Sequence, residues 1–232
     1  MNQGSLNPIT IQYRKAIKIF SDIGFEVFEG PDIETEWFNF DSLNVPDNHP
    51  SRDIQDTFWL KGDKGEKQCL RTHTTSVDVR VMQKRKPPIK GIIPGRCYRN
   101  EKLDATHEAT FYQLDGFAID RGITMSTLVG VLTQFMTKFF GKDSEIRLRP
   151  HFYPFVEPGM DIDIKREGKW MEVLGSGMLH PKVLKNMRLD PKIHQGFAFG
   201  MGFDRLVMVK YGIKDIRLFH SGDLRFLSQF KE

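Results

Sequence analysis

One long amphipathic helix divides this 232-residue chain into two blocks of strand signals. In TMSTLVGVLTQFMTKFFG, from Thr124 to Gly141, the residues Leu128, Leu132, Phe135, Met136 and Phe139 recur at helical spacing, and Gly141 closes the run. Before it, DTFWL, QCLRT and the stretch from Gly95 to Gly116 read as strands. After it come SEIRLRPHFYPF, MDIDIKR and KWMEVLGSG, the last two joined by a short EG turn. A helix is expected from Asn7 to Gly24, with Pro8 near its start, and shorter ones in TTSVDVRVMQKR and HPKVLKNM. GFAFGMGFDRLVMVKYG predicts a strand that bends into a helix at Gly200 to Gly202. Regular β-α-β alternation is missing. That makes a parallel dinucleotide-binding sheet a poor fit and predicts an α+β fold, an antiparallel sheet flanked by helices.

Composition narrows the class further. With 39% apolar and 12% aromatic residues, the chain suits one well-filled domain, 1–232, and not a disordered segment. The formal charge of +4 permits a polyanionic partner without demanding one. Cys69 and Cys97 form neither a disulfide framework nor a zinc spacing, so both are expected as reduced thiols. No apolar run reaches membrane-spanning length, and Met1 to Thr10 lacks a signal-peptide pattern, so a soluble cytoplasmic protein with no membrane partner is expected. The basic run KRKPP reads as a solvated helix end.

The chemistry concentrates in GRCYRNEKLDATHEATFYQLDG, residues 95–116. Side chains at i and i+2 of a strand share a face. Arg99 and Glu101 are therefore expected together on one strand of a hairpin, and Phe111, Gln113 and Asp115 together on the other. Arg99 and Glu101 read either as a simple ion pair or as a phosphate-gripping guanidinium beside an acceptor for an amine. Phe111 is a stacking plate for a base, with Gln113 and Asp115 as acceptors beyond it. GMGFDRL adds Gly200 and Gly202, which allow close backbone approach, and Arg205 on the first turn of a helix. Tyr153 and Phe155 are expected on one strand face, either as core aromatics or as a flat-walled slot for an aromatic side chain. Glu157 is then available to Mg²⁺. His73 reads as a satisfied core histidine or as part of the site. Glu172, between apolar residues, is expected to point inward and need a partner. Two phosphate arginines, a base plate, carboxylates and an aromatic slot together describe a site that activates an aromatic amino acid with ATP.

Beyond these residues, the chain closely resembles the catalytic core of bacterial phenylalanyl-tRNA synthetase α subunits, which are class II aminoacyl-tRNA synthetases. GFEVFEGPDIE, LRTHTTSVDVR, the 95–116 stretch, RPHFYPFVEPGMDID, GSGMLHPKVL and GFAFGMGFDRL carry the resemblance over almost the whole length. It implies a six-stranded antiparallel sheet and activation of L-phenylalanine to its adenylate, followed by transfer to the terminal 2′-OH of tRNA(Phe). It also implies a β subunit in an (αβ)2 assembly, or a homodimer through the Pro31 motif. Arg99 would grip the α-phosphate, Phe111 would stack on adenine and Arg205 would cover its other side. Glu101, Glu172, Gly200 and Gly202 would complete the ATP site. His73, Thr75, Gln113 and Asp115 would surround the amino-acid end, with Tyr153 and Phe155 sandwiching the ring and Ala198 flooring its para position. Glu157 would hold Mg²⁺ shared with the β subunit. The family's N-terminal coiled coil and an anticodon-binding domain are not expected here. Four positions depart from the family pattern: Asp78 stands where glutamine is usual, Asp115 and Asp204 where glutamate is, and Tyr153 where phenylalanine is. A synthetase-like sensor of amino acid or nucleotide, and an adenylating enzyme with a non-tRNA acceptor, are the alternative readings.

Overall fold

A computed structural model of the chain describes residues 4–62 and 65–230. Its elements run α1 (Pro8–Ser21), β1 (Glu26–Val27), β2 (Ile33–Thr35), α2 (Glu36–Asn39), β3 (Trp59–Leu60), β4 (Gln68–Leu70), α3 (Ser76–Met82), β5 (Ile89–Tyr98) and β6 (Thr110–Asp120). They continue α4 (Met125–Phe140), β7 (Ile146–Pro150), β8 (Val156–Arg166), β9 (Lys169–Leu179), α5 (Pro181–Asn186), β10 (Gln195–Gly202), α6 (Phe203–Tyr211) and α7 (Leu224–Leu227). The main sheet has the order β1-β5-β6-β10-β9-β8-β7. It corrects the six-stranded antiparallel expectation: a seventh strand, β1, lies parallel to β5 at one edge, and every other pairing is antiparallel. Helix α1 leads straight into β1, which pairs at the end of β5 remote from the hairpin loop. The DTFWL and QCLRT strands do pair, as β3 and β4, but with β2 in a separate three-stranded sheet. Residues 63–64 of the turn expected between them lie outside the described residues.

One face of the main sheet is covered by α1, α4 and α6. Ile92, Leu114, Ala118, Phe197, Phe199 and Met201 point into this core from alternate strand positions. Phe20 of α1 stacks between Phe135 of α4 at 4.6 Å and Phe199 at 5.2 Å. Each such ring buries a large apolar area, so this stack is a principal contributor to stability. Helix α4 begins with a reciprocal cap: the Thr124 hydroxyl accepts from the Thr127 amide at 3.3 Å, and the Thr127 side chain accepts from the Thr124 amide. Thr124→Ala should cost about 1 kcal/mol, read as a lower urea midpoint at unchanged slope.

The opposite face carries a second core, in which Ile93, Phe117 and Ala198 meet α3 and α5. The turn between β8 and β9 falls at Glu167 and Gly168, both with positive φ (50° and 75°), as a tight hairpin requires. Cys69 and Cys97 are both free and buried, and the KRKPP run is largely exposed. Among the described residues no helix is long and apolar enough to cross a membrane.

Candidate functional site

Paired residues of neighbouring strands share a face, and one register row crosses six strands: Ile93, Asp115, Gly200, Gly175, Asp161 and Arg149. The next row contains Phe117, Ala198, Gly177 and Gly159. The centre of this face is therefore floored by glycines, with a carboxylate on either side of the glycine pair in the first row. A Cβ on Gly200 would stand 2.7 Å from Asp115 Oδ1 and 3.1 Å from Gln113 Nε2. One on Gly175 would stand 2.6 Å from the Tyr153 hydroxyl. Both glycines are needed for close approach: the Gly200 gap, expected to admit ligand, is occupied by the Asp115 and Gln113 side chains. Gly202 has open space beside it.

Around Asp115 several buried acceptor atoms lack a donor. Asp115 is fully buried, and its Oδ2 accepts from the Thr75 hydroxyl at 2.6 Å. The His73 Nε2 lies 2.9 Å from the Asn39 carbonyl; a carbonyl only accepts, so Nε2 carries the proton and Nδ1 is a lone pair. Burial, helped by Arg99, pulls His73 down to about 4, so the ring is neutral. Asp115 Oδ1, Gln113 Oε1 and His73 Nδ1 are buried without a donor among the described residues. Burial pushes Asp115 up to about 6, against the Thr75 hydrogen bond, the neighbouring Thr74 and Gln113 side chains and the charge of Arg99. Thr75, Gln113 and Asp115 are thus brought together, with His73 two residues before Thr75 and hydrogen-bonded to Asn39.

Across the glycine floor stands an aromatic wall. Tyr153 and Phe155 are not on a strand, as expected, but in the turn between β7 and β8, with Tyr153 bridged to Val156. Their centroids lie 5.5 Å apart at 20°, the spacing of rings stacked on one another, so they form one wall and not two sides of a slot. The hydroxyl that Tyr153 adds donates to Asp161 Oδ1 at 2.8 Å. Asp161, which sequence reasoning missed, is fully buried and held through Oδ2 by Arg149 at 2.8 Å and His151 at 3.1 Å. The alternation RLR on β7 opposite DID on β8 was the signal for this pairing. Glu172 corrects its expectation: it is exposed and pairs with Arg149 at 2.9 Å, so it does not point inward.

The other end of β6 carries the arginines. Strand β5 stops at Tyr98, so Arg99 and Glu101 lie just past it in the hairpin loop, not on a strand face. Arg99 Cζ sits 4.9 Å over the Phe111 ring, with Nε donating to Thr72 O at 3.3 Å and Glu101 3.9 Å away. Phe111, the expected base plate, is therefore covered by Arg99. Arg205 is exposed on the first turn of α6, on the β10 side of the same end of β6. There Asp204 Oδ2 accepts from the Tyr112 amide at 2.5 Å. The topology brings Arg99, just past β5, and Arg205, at the start of α6 after β10, to the same end of β6.

Three positioning residues were also missed. The Tyr13 hydroxyl accepts from Gly95 N at 2.8 Å and donates to Gln113 O at 2.7 Å, pinning the backbone under Gln113. Arg71 is buried, donates to Arg96 O and Gly30 O and pairs with Asp32, which fastens the segment around Pro31 to β5. Asn39 exchanges two hydrogen bonds with Thr72 beside His73.

Glu157 is exposed on a cleft of about 700 Å³ beyond Tyr153, with His180 3.5 Å away. Among the described residues no group of three or more His, Cys, Asp or Glu side chains could hold a metal ion. Among the described residues lining this cleft, Glu157 is the carboxylate, so a Mg²⁺ ion there would need further oxygen ligands from ATP or a partner chain.

The fold is that of a class II aminoacyl-tRNA synthetase core. The family described as "tRNA synthetases class II core domain (F)" matches residues 1–230. The phenylalanine–tRNA ligase α subunits of Yersinia pestis (strain Pestoides F) and Yersinia pseudotuberculosis (serotype O:1b, strain IP 31758) are each 47% identical over 232 residues. Those alignments span 100% of this chain and 69% of the relative. A crystal structure of pyrrolysyl-tRNA synthetase from Desulfitobacterium hafniense superimposes with a TM-score of 0.71 at 18% identity. It covers 93% of this chain and 74% of that one, a likeness that carries the fold alone. The chain belongs to the class II tRNA synthetase core family, among the phenylalanine–tRNA ligase α subunits.

Proposed function

We propose that this chain activates L-phenylalanine with ATP and passes it to tRNA(Phe), as the catalytic α chain of a phenylalanine–tRNA ligase. The observation that carries the reading is the acceptor-only cluster of Asp115 Oδ1, Gln113 Oε1 and His73 Nδ1, one glycine floor away from the Tyr153–Phe155 wall. Three buried acceptors with no donor are matched by the three N–H groups of an α-ammonium. The wall takes the ring, and Ala198, in the next register row, lies beneath it. The amino-acid carboxylate then faces the arginine end. There Arg99 and Arg205 bind the phosphates, and Arg99 swings off Phe111 to let adenine stack.

The carboxylate attacks the α-phosphorus, the α–β bridging bond breaks, and pyrophosphate leaves. The terminal 2′-OH of tRNA next takes the acyl group and AMP departs. The chain's residues position and neutralise charge; none acts as a nucleophile. Mg²⁺ enters with the ATP phosphates, and no step is assigned to a metal fixed by this chain. A β subunit and a cytoplasmic setting belong to the same reading.

Phenylalanine-dependent exchange of labelled pyrophosphate into ATP tests activation. Exchange with another amino acid and none with phenylalanine would overturn the substrate. Exchange without tRNA charging, in the presence of a β chain, would assign a different acceptor. Ala198→Gly should admit para-substituted phenylalanines, because the added space lies under the ring and a hydrophobic floor discriminates by only about 1–3 kcal/mol. The same exchange assay with a para-halogenated analogue reads it; unchanged selectivity counts against the pocket.

A further inference from the structure

Asp78 has no role in the reading above, yet it is the most anomalous group in the molecule. It sits in the first turn of α3 with zero exposure, and no donor among the described residues reaches either of its oxygens. The charged group acting on it is Asp115, across from it on β6. Thr75, at the N-cap of α3, donates to Asp115 Oδ2 at 2.6 Å, and the Asp78 amide donates to Thr75 O at 3.0 Å, so the first turn of α3 brings Asp78 to the Asp115 side of the sheet. Both carboxyls are fully buried, and Asp115 Oδ1 is also without a donor. The cations and other titratable groups around α3 are committed elsewhere. Arg80, on the same helix, is bound to Glu34 of β2, and Arg71 to Asp32. His73 is neutral and turned to Asn39. Arg99, past β5, touches Thr72, Glu101 and Phe111.

We propose that Asp78 and Asp115 hold one proton between them in the free protein, and that the α-ammonium of the amino acid takes the place of that proton. The proposal rests on the ammonium reading of the site. Before binding, the pair is one acid and one carboxylate, with a net charge of −1. After binding it is two carboxylates and an ammonium, again −1, and the displaced proton goes to solvent. A buried site of zero exposure cannot hold two bare like charges, and this exchange never asks it to. Burial first and Asp115 second hold Asp78 well above the usual carboxylate range, which favours the protonated form of this member of the pair. Asp78 thus acts through Asp115 as a positioning residue, and makes the pocket demand a cation: an α-hydroxy acid of the same shape leaves the proton in place.

Difference infrared spectroscopy of the full chain, alone and with a β subunit, tests this. The free protein at pH 7 should show a protonated-carboxyl band that Asp78→Asn lacks, beside an Asp204 contribution that both proteins share. L-Phenylalanine should erase the band in the wild type and 3-phenyllactate should not. Calorimetry in buffers of different ionisation enthalpy should show release of on the order of one proton per phenylalanine bound at pH 7, falling toward zero in Asp78→Asn. Absence of the band in the free wild-type protein overturns the pair, whatever the ligand. Phenylalanine binding with the band intact and no proton released overturns the exchange. If phenylalanine fails to bind while another amino acid binds and releases the proton, the substrate assignment falls and the proton exchange stands.

Discussion

Arg99→Ala should lower kcat/KM for phenylalanine-dependent pyrophosphate exchange by about 10²–10³-fold, the usual loss when one preorganised donor to transition-state charge is removed. Arg99 is placed for that role by three contacts: the Thr72 carbonyl at 3.3 Å, Glu101 at 3.9 Å and the Phe111 ring at 4.9 Å. None of these is buried enough to need a permanent cation. The Arg99 side chain is 41% exposed and Glu101 34%, so their attraction is a weak surface pair. A guanidinium held loosely over an aromatic plate is free to move onto phosphate oxygens. Arg99→Lys should recover only part of the loss, because an ammonium keeps the charge and loses the planar fork. Adenosine, which has no phosphate, should bind Arg99→Ala no more weakly than the wild type, since the ring of Phe111 is then uncovered. Exchange by Arg99→Ala at the wild-type rate would mean that Arg99 only stacks on Phe111, and the phosphate assignment would be lost.

How far the sequence reveals this site depends on how far apart the partners lie along the chain. The stripe Leu128 to Phe139, the Glu167–Gly168 turn and the helix opening after Gly202 are local patterns, and all three stand where periodicity and turn chemistry put them. Gln113 and Asp115 share a face because strand alternation is local too. The end of β5 was not legible. Arg99 looked like the next strand residue, but pairing stops at Tyr98, and only the Arg99 amide bond to Ala109 O carries on beyond it. Tyr13 and Arg71 were invisible, because their partners Gln113 and Gly30 lie 100 and 41 residues away, and a tyrosine in an amphipathic helix reads as core. Glu172 misled for a related reason: apolar neighbours suggested burial, while its partner Arg149 comes from a strand two places across the sheet. Asp78 was visible only as an odd residue in a familiar pattern, and its lack of donors needed coordinates.

The ligand-free chain should lose stability as pH rises from 5 to 8, and Asp204→Asn should remove a distinct part of that loss. Asp204 lies in the first turn of α6, where the helix dipole favours a negative charge. Burial nevertheless wins and pushes it from 3.8 up to about 7, despite the Tyr112 and Asp204 amides; Glu108 adds to the rise. Its Oδ1 has no donor among the described residues, and His220 Nε2 is 3.8 Å away. The folded state therefore holds a proton that the unfolded chain has already released above about pH 4. The stability this contributes is complete below that pH and is lost as pH climbs through 7. Between pH 5 and 8 the decline is roughly 2–3 kcal/mol. Asp115, at about 6, adds a smaller decline of the same sign, and Asp78, held above the usual carboxylate range by burial and then by Asp115, adds its own. Asparagine keeps an oxygen for the Tyr112 amide and never titrates, so urea midpoints of Asp204→Asn should stay flatter across neutral pH. A slope equal to the wild type's would show that Asp204 is already ionised in the folded chain. The cost has a structural return: Asp204 ties the first turn of α6 to the start of β6 through the Tyr112 amide, next to Phe111 and Arg205 in sequence. Asp204→Ala, which deletes the acceptor, should then raise KM for ATP more than KM for phenylalanine.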